Sequence, residues 1–117
     1  MFTRAQLVQA SCRHQTERAS DAQIHDALAV LGDWIVVHSD FQREFRLADY
    51  RQTMAFVNAV AEIAHREDHH PELVVGYNRC TVRYNTHSVG GFSENDFICA
   101  AKVDEMYLKG PWQSTKA

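Results

Sequence analysis

Residues 49–84, DYRQTMAFVNAVAEIAHREDHHPELVVGYNRCTVRY, decide the fold, because they join a long amphipathic helix to a β-hairpin. Asp49 and Gln52 have the spacing of a helix start, where polar side chains satisfy the free backbone N–H groups of the first turn. Pro71 disfavours the α conformation at the residue that precedes it. The sequence therefore predicts a helix that begins after Asp49 and that Pro71 ends.

Two apolar stripes run along this helix. Spacings of three and four residues connect the members of the first stripe, which are Tyr50, Met54, Val57, Ala61 and Ala64. The second stripe consists of Phe56, Val60 and Ile63. An apolar surface of this width predicts that a sheet covers one side of the helix and that a further helix or a second subunit covers the other. We expect self-association through the second stripe or through an exposed sheet edge.

A hairpin and a last helix follow the proline. Leu73–Tyr77 and Cys80–Tyr84 are rich in β-formers and flank a turn about Asn78, which predicts two strands with Cys80, Val82 and Tyr84 on one face. Ser93 begins the last helix, with Asp96 as its third residue, and the helix runs to Lys109.

The first half of the chain also contains patterns that predict helix starts and a hairpin. Thr3 with Gln6, and Ser20 with Gln23, both form the capping-box pattern that starts a helix, and Gly32 predicts a left-handed end to the second of these helices. A hairpin follows, with a first strand over 34–37, a turn at 39–40 and alternating apolar positions at Phe41, Phe45 and Leu47.

The predicted order is therefore α-β-β-α-β-β-α, preceded by a short N-terminal helical extension. This order is typical of an α+β domain in which helices pack on one face of a four-stranded antiparallel sheet. We divide the chain into an extension over 1–19, one domain over 20–110 and a C-terminal tail over 111–117.

Composition excludes several classes of protein. The chain has 117 residues, a formal charge of −3 and 45% apolar residues, which fits one folded domain and disfavours direct binding of nucleic acid. Its apolar segments are too short to cross a membrane. The three cysteines, Cys12, Cys80 and Cys99, are odd in number, widely spaced and free of any C-x-x-C motif, so they indicate neither a disulfide framework nor a thiolate zinc site, and we expect a reducing, cytoplasmic location.

Histidine is the unusual residue, with seven copies. His69 and His70 lie where the long helix ends, and His87 follows the fourth strand. Because a hairpin returns that strand to the end of the sheet where the helix stops, we expect the three imidazoles to line one cleft with Asp96 at its edge. Imidazoles and a carboxylate are suited to moving protons near neutral pH.

Two other interpretations of the histidines remain open from spacing alone. His65 and His69 lie one helical turn apart, as in helical zinc pairs, and His87 could supply a third ligand. Arg66 stands where the H-E-x-x-H motif has its glutamate, which disfavours a zinc hydrolase. The cluster could also be purely structural.

Four motifs in order carry a resemblance to a known family. They are the run from His65 to Glu72 (HREDHHPE), Tyr77-Asn78, Thr86-His87 and the run from Gly91 to Asp96 (GFSEND). In this arrangement the chain resembles the pterin-4a-carbinolamine dehydratases, also called 4a-hydroxytetrahydrobiopterin dehydratases, over roughly 20–109.

The resemblance implies a lyase that dehydrates 4a-hydroxytetrahydropterin to quinonoid dihydropterin in tetrahydrobiopterin recycling. It implies a small pterin substrate, no cofactor and no metal, and a homodimer or homotetramer. It also implies catalytic roles for His69, His70 and His87, and substrate contacts from His70, Pro71, Thr86 and Asp96. We assign proton transfer to His69 and His87, and the holding of the pterin ring to His70.

The resemblance also implies an alternative function. Members of the family act as dimerisation cofactors of a transcription factor, so the chain could be a non-catalytic binding module with a transcription-factor partner. The three histidines favour the enzyme, because a scaffold has no physical need for them.

Overall fold

The computed structural model describes residues 2–112. Two helices come first, α1 (Arg4–Gln9) and α2 (Asp21–Val30), followed by the strands β1 (Ile35–Val37) and β2 (Asp40–Arg46). Next come the long helix α3 (Tyr50–Glu67) and the strands β3 (Glu72–Val75) and β4 (Arg79–Tyr84). A 3₁₀ turn (His87–Val89) leads into the last helix, α4 (Glu94–Lys109). The predicted α+β order is confirmed.

The four strands form one antiparallel sheet in the order β1-β2-β4-β3. Phe41 and Phe45 on β2 are fully buried. The ring centroid of Phe41 lies 5.3 Å from that of Phe97 on α4, and that of Phe45 lies 4.9 Å from that of Phe56 on α3. These ring contacts attach α3 and α4 to one face of the sheet, as predicted.

The helix starts follow the polar patterns of the sequence. Thr3 and Ser20 each accept a hydrogen bond from the N–H of the glutamine three residues later, and each glutamine side chain accepts from the cap's own N–H. The Asp49 carboxylate accepts the N–H of Gln52 at 2.9 Å. Local polar side chains thus satisfy free backbone N–H groups at the start of each of these helices.

The prediction of which stripe of α3 faces outward was wrong. Phe56, Val60 and Ile63, the stripe expected to associate with another copy, are at most 3% exposed within the chain's own core. Tyr50 in the other stripe is 53% exposed. The bulkier stripe buries more apolar area against the sheet, so the helix is rotated to place it inside. The stripe is therefore not available for self-association.

Three local predictions also need correction. Gly32 does not adopt a left-handed conformation, and α2 instead ends with Leu31 as its C-cap at φ −107° and ψ 66°. The first hairpin turns at 38–39, with His38 at a φ of 55°, one residue earlier than expected. The third correction concerns the end of α3. Asp68, which adopts a left-handed conformation, ends the helix before Pro71.

Among residues 2–112, no helix is long and apolar enough to cross a membrane.

Candidate active site

The end of α3 determines where His69 lies. Asp68 adopts φ 52° and ψ 43°, and its N–H donates to the carbonyl of Ala64. The N–H of His69 also donates to that carbonyl, at 3.2 Å. The bond from His69 is the 6→1 bond found in Schellman C-caps, the bond from Asp68 is the 5→1 bond of the αL cap, and together they turn the chain away from the helix axis. His69 is therefore held by backbone bonds as well as by its side chain.

Asp96 in the first turn of α4 is the centre of the site. The carboxylate is fully buried, and its Oδ2 accepts the N–H of Ser93 at 3.0 Å and the hydroxyl of Thr86 at 2.8 Å. Its Oδ1 lies 2.6 Å from Nε2 of His69. The positive end of the α4 dipole also favours a negative charge at this position. Three separate segments of the chain thus converge on one carboxylate.

These contacts determine the tautomer of His69. An ionised carboxylate can only accept hydrogen bonds, so Nε2 must carry the proton that it shares with Asp96. The other ring nitrogen, Nδ1, makes no hydrogen bond within residues 2–112 and can exchange a proton with a bound molecule. The arrangement is that of a histidine oriented by a carboxylate, which is a common way to prepare an imidazole for general acid–base work.

Tyr84 fixes the plane of the same imidazole. The two ring centroids are 5.6 Å apart and the ring planes differ by 8°. Tyr84 is fully buried at the end of β4, while the His69 side chain keeps 12% exposure. Stacking on one side and a hydrogen bond at one edge leave His69 little rotational freedom. The sequence indicated Tyr84 only as a core residue, because alternation along a strand carries no information about which ring stacks on it.

His87 and His70 lie at the same end of the sheet. Glu72 pairs with Arg83, so the chain just before β3 lies beside the chain just after β4. His87 directly follows Thr86, whose N–H donates to the carbonyl of Gly91 at 2.8 Å and closes the loop that carries His87. Both histidines are exposed.

The structure therefore joins some of the predicted site residues by direct contacts and leaves others only nearby. His69, Thr86 and Asp96 form one hydrogen-bonded group. Asp96 was expected at the edge of the cleft, and it instead lies beneath His69 as the buried partner. Ser93 was expected only as a helix cap, but its Oγ lies 2.8 Å from Oγ1 of Thr86 and extends the same group.

The described residues hold no group of three or more His, Cys, Asp or Glu side chains placed to bind a metal ion. Two cavities among the described residues lie away from these histidines. One of about 610 Å³ is lined by residues that include Arg13, Arg18 and Phe97, and one of about 390 Å³ lies between α3 and α4. Since the geometry of the histidines and Asp96 is the more direct sign of chemistry, we take the open end of the sheet as the candidate site.

Comparison with known proteins identifies the family to which the chain is similar. The family model for Pterin 4 alpha carbinolamine dehydratase matches residues 17–106. A protein of Nitrosospira multiformis, named provisionally as a pterin-4-alpha-carbinolamine dehydratase, is 50% identical over 96 residues, which cover 82% of this chain and 85% of that protein. A relative with the same provisional name from Xanthomonas euvesicatoria is 49% identical over 109 residues, covering 89% and 92% of the two chains.

Solved structures share the fold. A transcriptional coactivator/pterin dehydratase from Brucella melitensis superposes with a TM-score of 0.74 at 31% identity, covering 78% of this chain and 99% of that one. A pterin dehydratase-like protein described as a RuBisCO assembly factor has a TM-score of 0.52 at 23% identity, covers 63% of this chain and 86% of that one, and supports the fold alone. Family match, relatives and fold agree with the motifs in the sequence, and the chain belongs to the pterin-4-alpha-carbinolamine dehydratase family of hydro-lyases.

Proposed function

We propose that this protein dehydrates 4a-hydroxytetrahydropterin to quinonoid dihydropterin, with His69 as a general acid–base group that Asp96 positions. The observation that carries the proposal is the 2.6 Å contact between His69 Nε2 and Asp96 Oδ1. A surface histidine without a function has no need for a fully buried carboxylate partner, which is costly to desolvate.

The reaction needs two proton transfers and no redox change. The hydroxyl at C4a must gain a proton to leave as water, and the proton on N5 must be removed as the C4a=N5 double bond forms. Imidazoles are the side chains best suited to both transfers near neutral pH. His69 presents Nδ1 to the substrate, while Asp96 stabilises the charge that the ring gains when it takes up a proton.

His87 and His70 supply the remaining groups. His87 lies on the loop that Thr86 and Gly91 close, next to the residue that bonds Asp96, and we assign it the second proton transfer. His70, exposed beside Pro71, holds the pterin ring. The Thr86 hydroxyl contacts Asp96 and Ser93, so we now regard Thr86 as a positioning residue rather than a direct substrate contact.

In this role the protein would return oxidised pterin to the tetrahydrobiopterin cycle. One solved relative favours a second function, because it is described as a transcriptional coactivator/pterin dehydratase. A protein-binding role would use the fold but would not require the contact between His69 and Asp96. Substitution of the histidines should therefore abolish the dehydratase activity and leave a protein-binding role intact.

Stopped-flow kinetics on chemically generated 4a-hydroxytetrahydropterin test the proposal. His69→Gln is the sharpest variant, because the glutamine amide can still donate to Asp96 but cannot exchange a proton with the substrate. We expect kcat to fall about 10²–10⁴-fold with the fold intact. His87→Ala should lower kcat in the same range, while His70→Ala should mainly raise KM, because it removes binding common to ground and transition states.

His65→Gln is the matched control. His65 is an exposed histidine one helical turn before His69, and we expect kcat to stay within about twofold of wild type. Equal losses from His65→Gln and His69→Gln would favour the zinc interpretation instead. Wild-type kcat in the His69→Gln variant would refute the mechanism, and a wild-type protein without activity would leave the binding module as the function.

A further inference from the structure

Two thiols that are distant in sequence meet behind the candidate site. The sulfur of Cys12 lies 3.5 Å from the sulfur of Cys99, and both cysteines are free. Cys99 is fully buried in α4, one turn after Asp96, whereas Cys12 is partly exposed in the N-terminal extension. Cys12 precedes the residues that the family model matches, so this pairing is a feature of the extension.

Specific polar contacts hold the Cys12 segment against α4. The side-chain amide of Asn95 donates to the carbonyl of Arg13 at 2.7 Å and accepts the N–H of Arg13 at 3.0 Å. The N–H of Cys12 donates to Glu67 at 2.8 Å, and Lys102 lies 3.7 Å from the same carboxylate. Because Asn95 and Cys99 are one helical turn apart, the amide that binds Arg13 also places Cys12 over Cys99.

The geometry allows the two sulfurs to bond. A disulfide requires them to approach to about 2.05 Å, a movement of about 1.5 Å from the observed separation. Residues 10–20 contain no helix or strand, so the Cys12 side can supply that movement while α4 stays in place. Partial exposure makes Cys12 the thiol that an oxidant reaches first.

We propose that Cys12 and Cys99 form a reversible intramolecular disulfide that ties the N-terminal extension to α4. With a peroxide as oxidant, the Cys12 thiolate attacks the O–O bond and becomes a sulfenic acid as hydroxide leaves. The Cys99 thiol then attacks that sulfur, the S–O bond breaks, and water leaves as the S–S bond forms. The two sulfurs lose two electrons in total, and the peroxide gains them.

This inference does not depend on the dehydratase proposal, and thiol chemistry tests it directly. The purified full chain is reduced, freed of reductant, treated with hydrogen peroxide and alkylated after denaturation. We expect one alkylated cysteine, Cys80, in place of three, and a total mass lower by two hydrogens before alkylation. Trypsin should release peptide 5–13 linked to peptide 84–102, and a thiol reductant should separate them.

Melting temperatures provide a second readout. A disulfide between Cys12 and Cys99 closes a long loop and restricts the unfolded chain, so the oxidised protein should melt about 5 °C or more above the reduced one. Cys12→Ser should melt at the same temperature with and without peroxide and give no linked peptide. Cys80→Ser is the matched control and should form the linked peptide like the wild type.

Several results would overturn the proposal. They are three alkylated cysteines after oxidation, a crosslink that involves peptide 80–83, oxidation of Cys12 to the sulfinic acid without a crosslink, or a linked peptide with no change in melting temperature.

Discussion

His69 Nε2 lies 2.6 Å from Oδ1 of Asp96, although a complete β-hairpin separates the two residues in the chain. The contact forms because the chain enters β3 just after His69 and the hairpin of β3 and β4 returns it to the same end of the sheet. Tyr84, the last residue of that hairpin, stacks against the same imidazole. The hairpin thus both brings α4 to the histidine and supplies one wall of the site.

Asp96→Asn tests whether this contact orients His69. The single acceptor oxygen of asparagine would stay with the Ser93 N–H and the Thr86 hydroxyl, so the NH₂ would face Nε2 and could not accept its proton. The ring then loses its fixed tautomer while the size of the side chain is preserved. We expect kcat to fall about 10²-fold, with KM changed less and the pH profile of kcat displaced. Steady-state kinetics from pH 5 to 9 would measure kcat, KM and the pH profile of kcat.

Glu94→Gln is the control for that variant. Glu94 is a neighbouring exposed acid in the same helical turn, paired with Arg13 at 3.4 Å. Glu94→Gln should leave kcat and KM unchanged. A variant at Asp96 that raised KM alone would assign the carboxylate to substrate binding instead.

Thr86→Val tests the hydroxyl that holds Asp96 from the other side. Valine matches the shape of threonine but leaves the buried carboxylate without one donor, which should lower the free energy of unfolding by about 1–3 kcal/mol. We expect kcat to fall as well, because the Ser93 N–H and His69 then hold Asp96 less firmly than with the Thr86 hydroxyl in place. Thr86→Ser keeps the hydroxyl and should retain most of the stability and most of kcat. Urea unfolding and steady-state kinetics measure the two quantities.

Asp104 is a second buried carboxylate, and its role is structural. It accepts from Trp34 Nε1 at 2.9 Å, from Arg43 at 2.8 Å and from Arg4 in α1 at 3.0 Å. Asp104→Ala leaves the buried Trp34 N–H without its acceptor and leaves Arg43 only the more distant Asp33 at 3.6 Å, so it should cost about 3–5 kcal/mol in free energy of unfolding. Urea titration would measure the loss.

The matched control is Glu105→Gln. Glu105 pairs with Lys109 at 2.8 Å on the same helix, but that lysine is exposed. An exposed pair at this spacing contributes about 0.5 kcal/mol or less. Similar losses from the two variants would show that the Asp104 network stabilises the fold no more than a surface ion pair does.

Stability should fall at alkaline pH because of Cys80. Burial raises the pKa of this thiol from 9.0 to about 11. The folded state therefore keeps a proton that the unfolded chain releases above pH 9, so the contribution is fully present below pH 9 and is lost as pH rises through 11. We expect the free energy of unfolding to fall by on the order of 2 kcal/mol across this interval.

Cys80→Ala isolates that contribution. Burial also raises the pKa of Tyr84, so the variant keeps part of the alkaline loss but should show a shallower slope from pH 8 to 11 in urea unfolding. Identical slopes for the two proteins would contradict the prediction.

The sequence by itself determined the elements and the motif. The helix starts at Thr3, Ser20 and Asp49 depend on side chains three residues from the groups they bond, and the alternation of Cys80, Val82 and Tyr84 depends only on strand geometry. Such signals are local, so they can be read without the rest of the chain. The four ordered motifs that identify the family lie in the sequence for the same reason.

Only the tertiary structure decided which stripe of α3 faces the sheet and which side chains meet at the site. Both stripes are apolar, so periodicity alone gives no preference, and the difference arises from the area that each stripe buries against β2 and α4. The pairing of Thr86 with Asp96, the stack of Tyr84 on His69 and the approach of Cys12 to Cys99 depend on how separate segments pack. Contacts of this kind are set by chain reversals and by the shape of the core, which no local pattern in the sequence encodes.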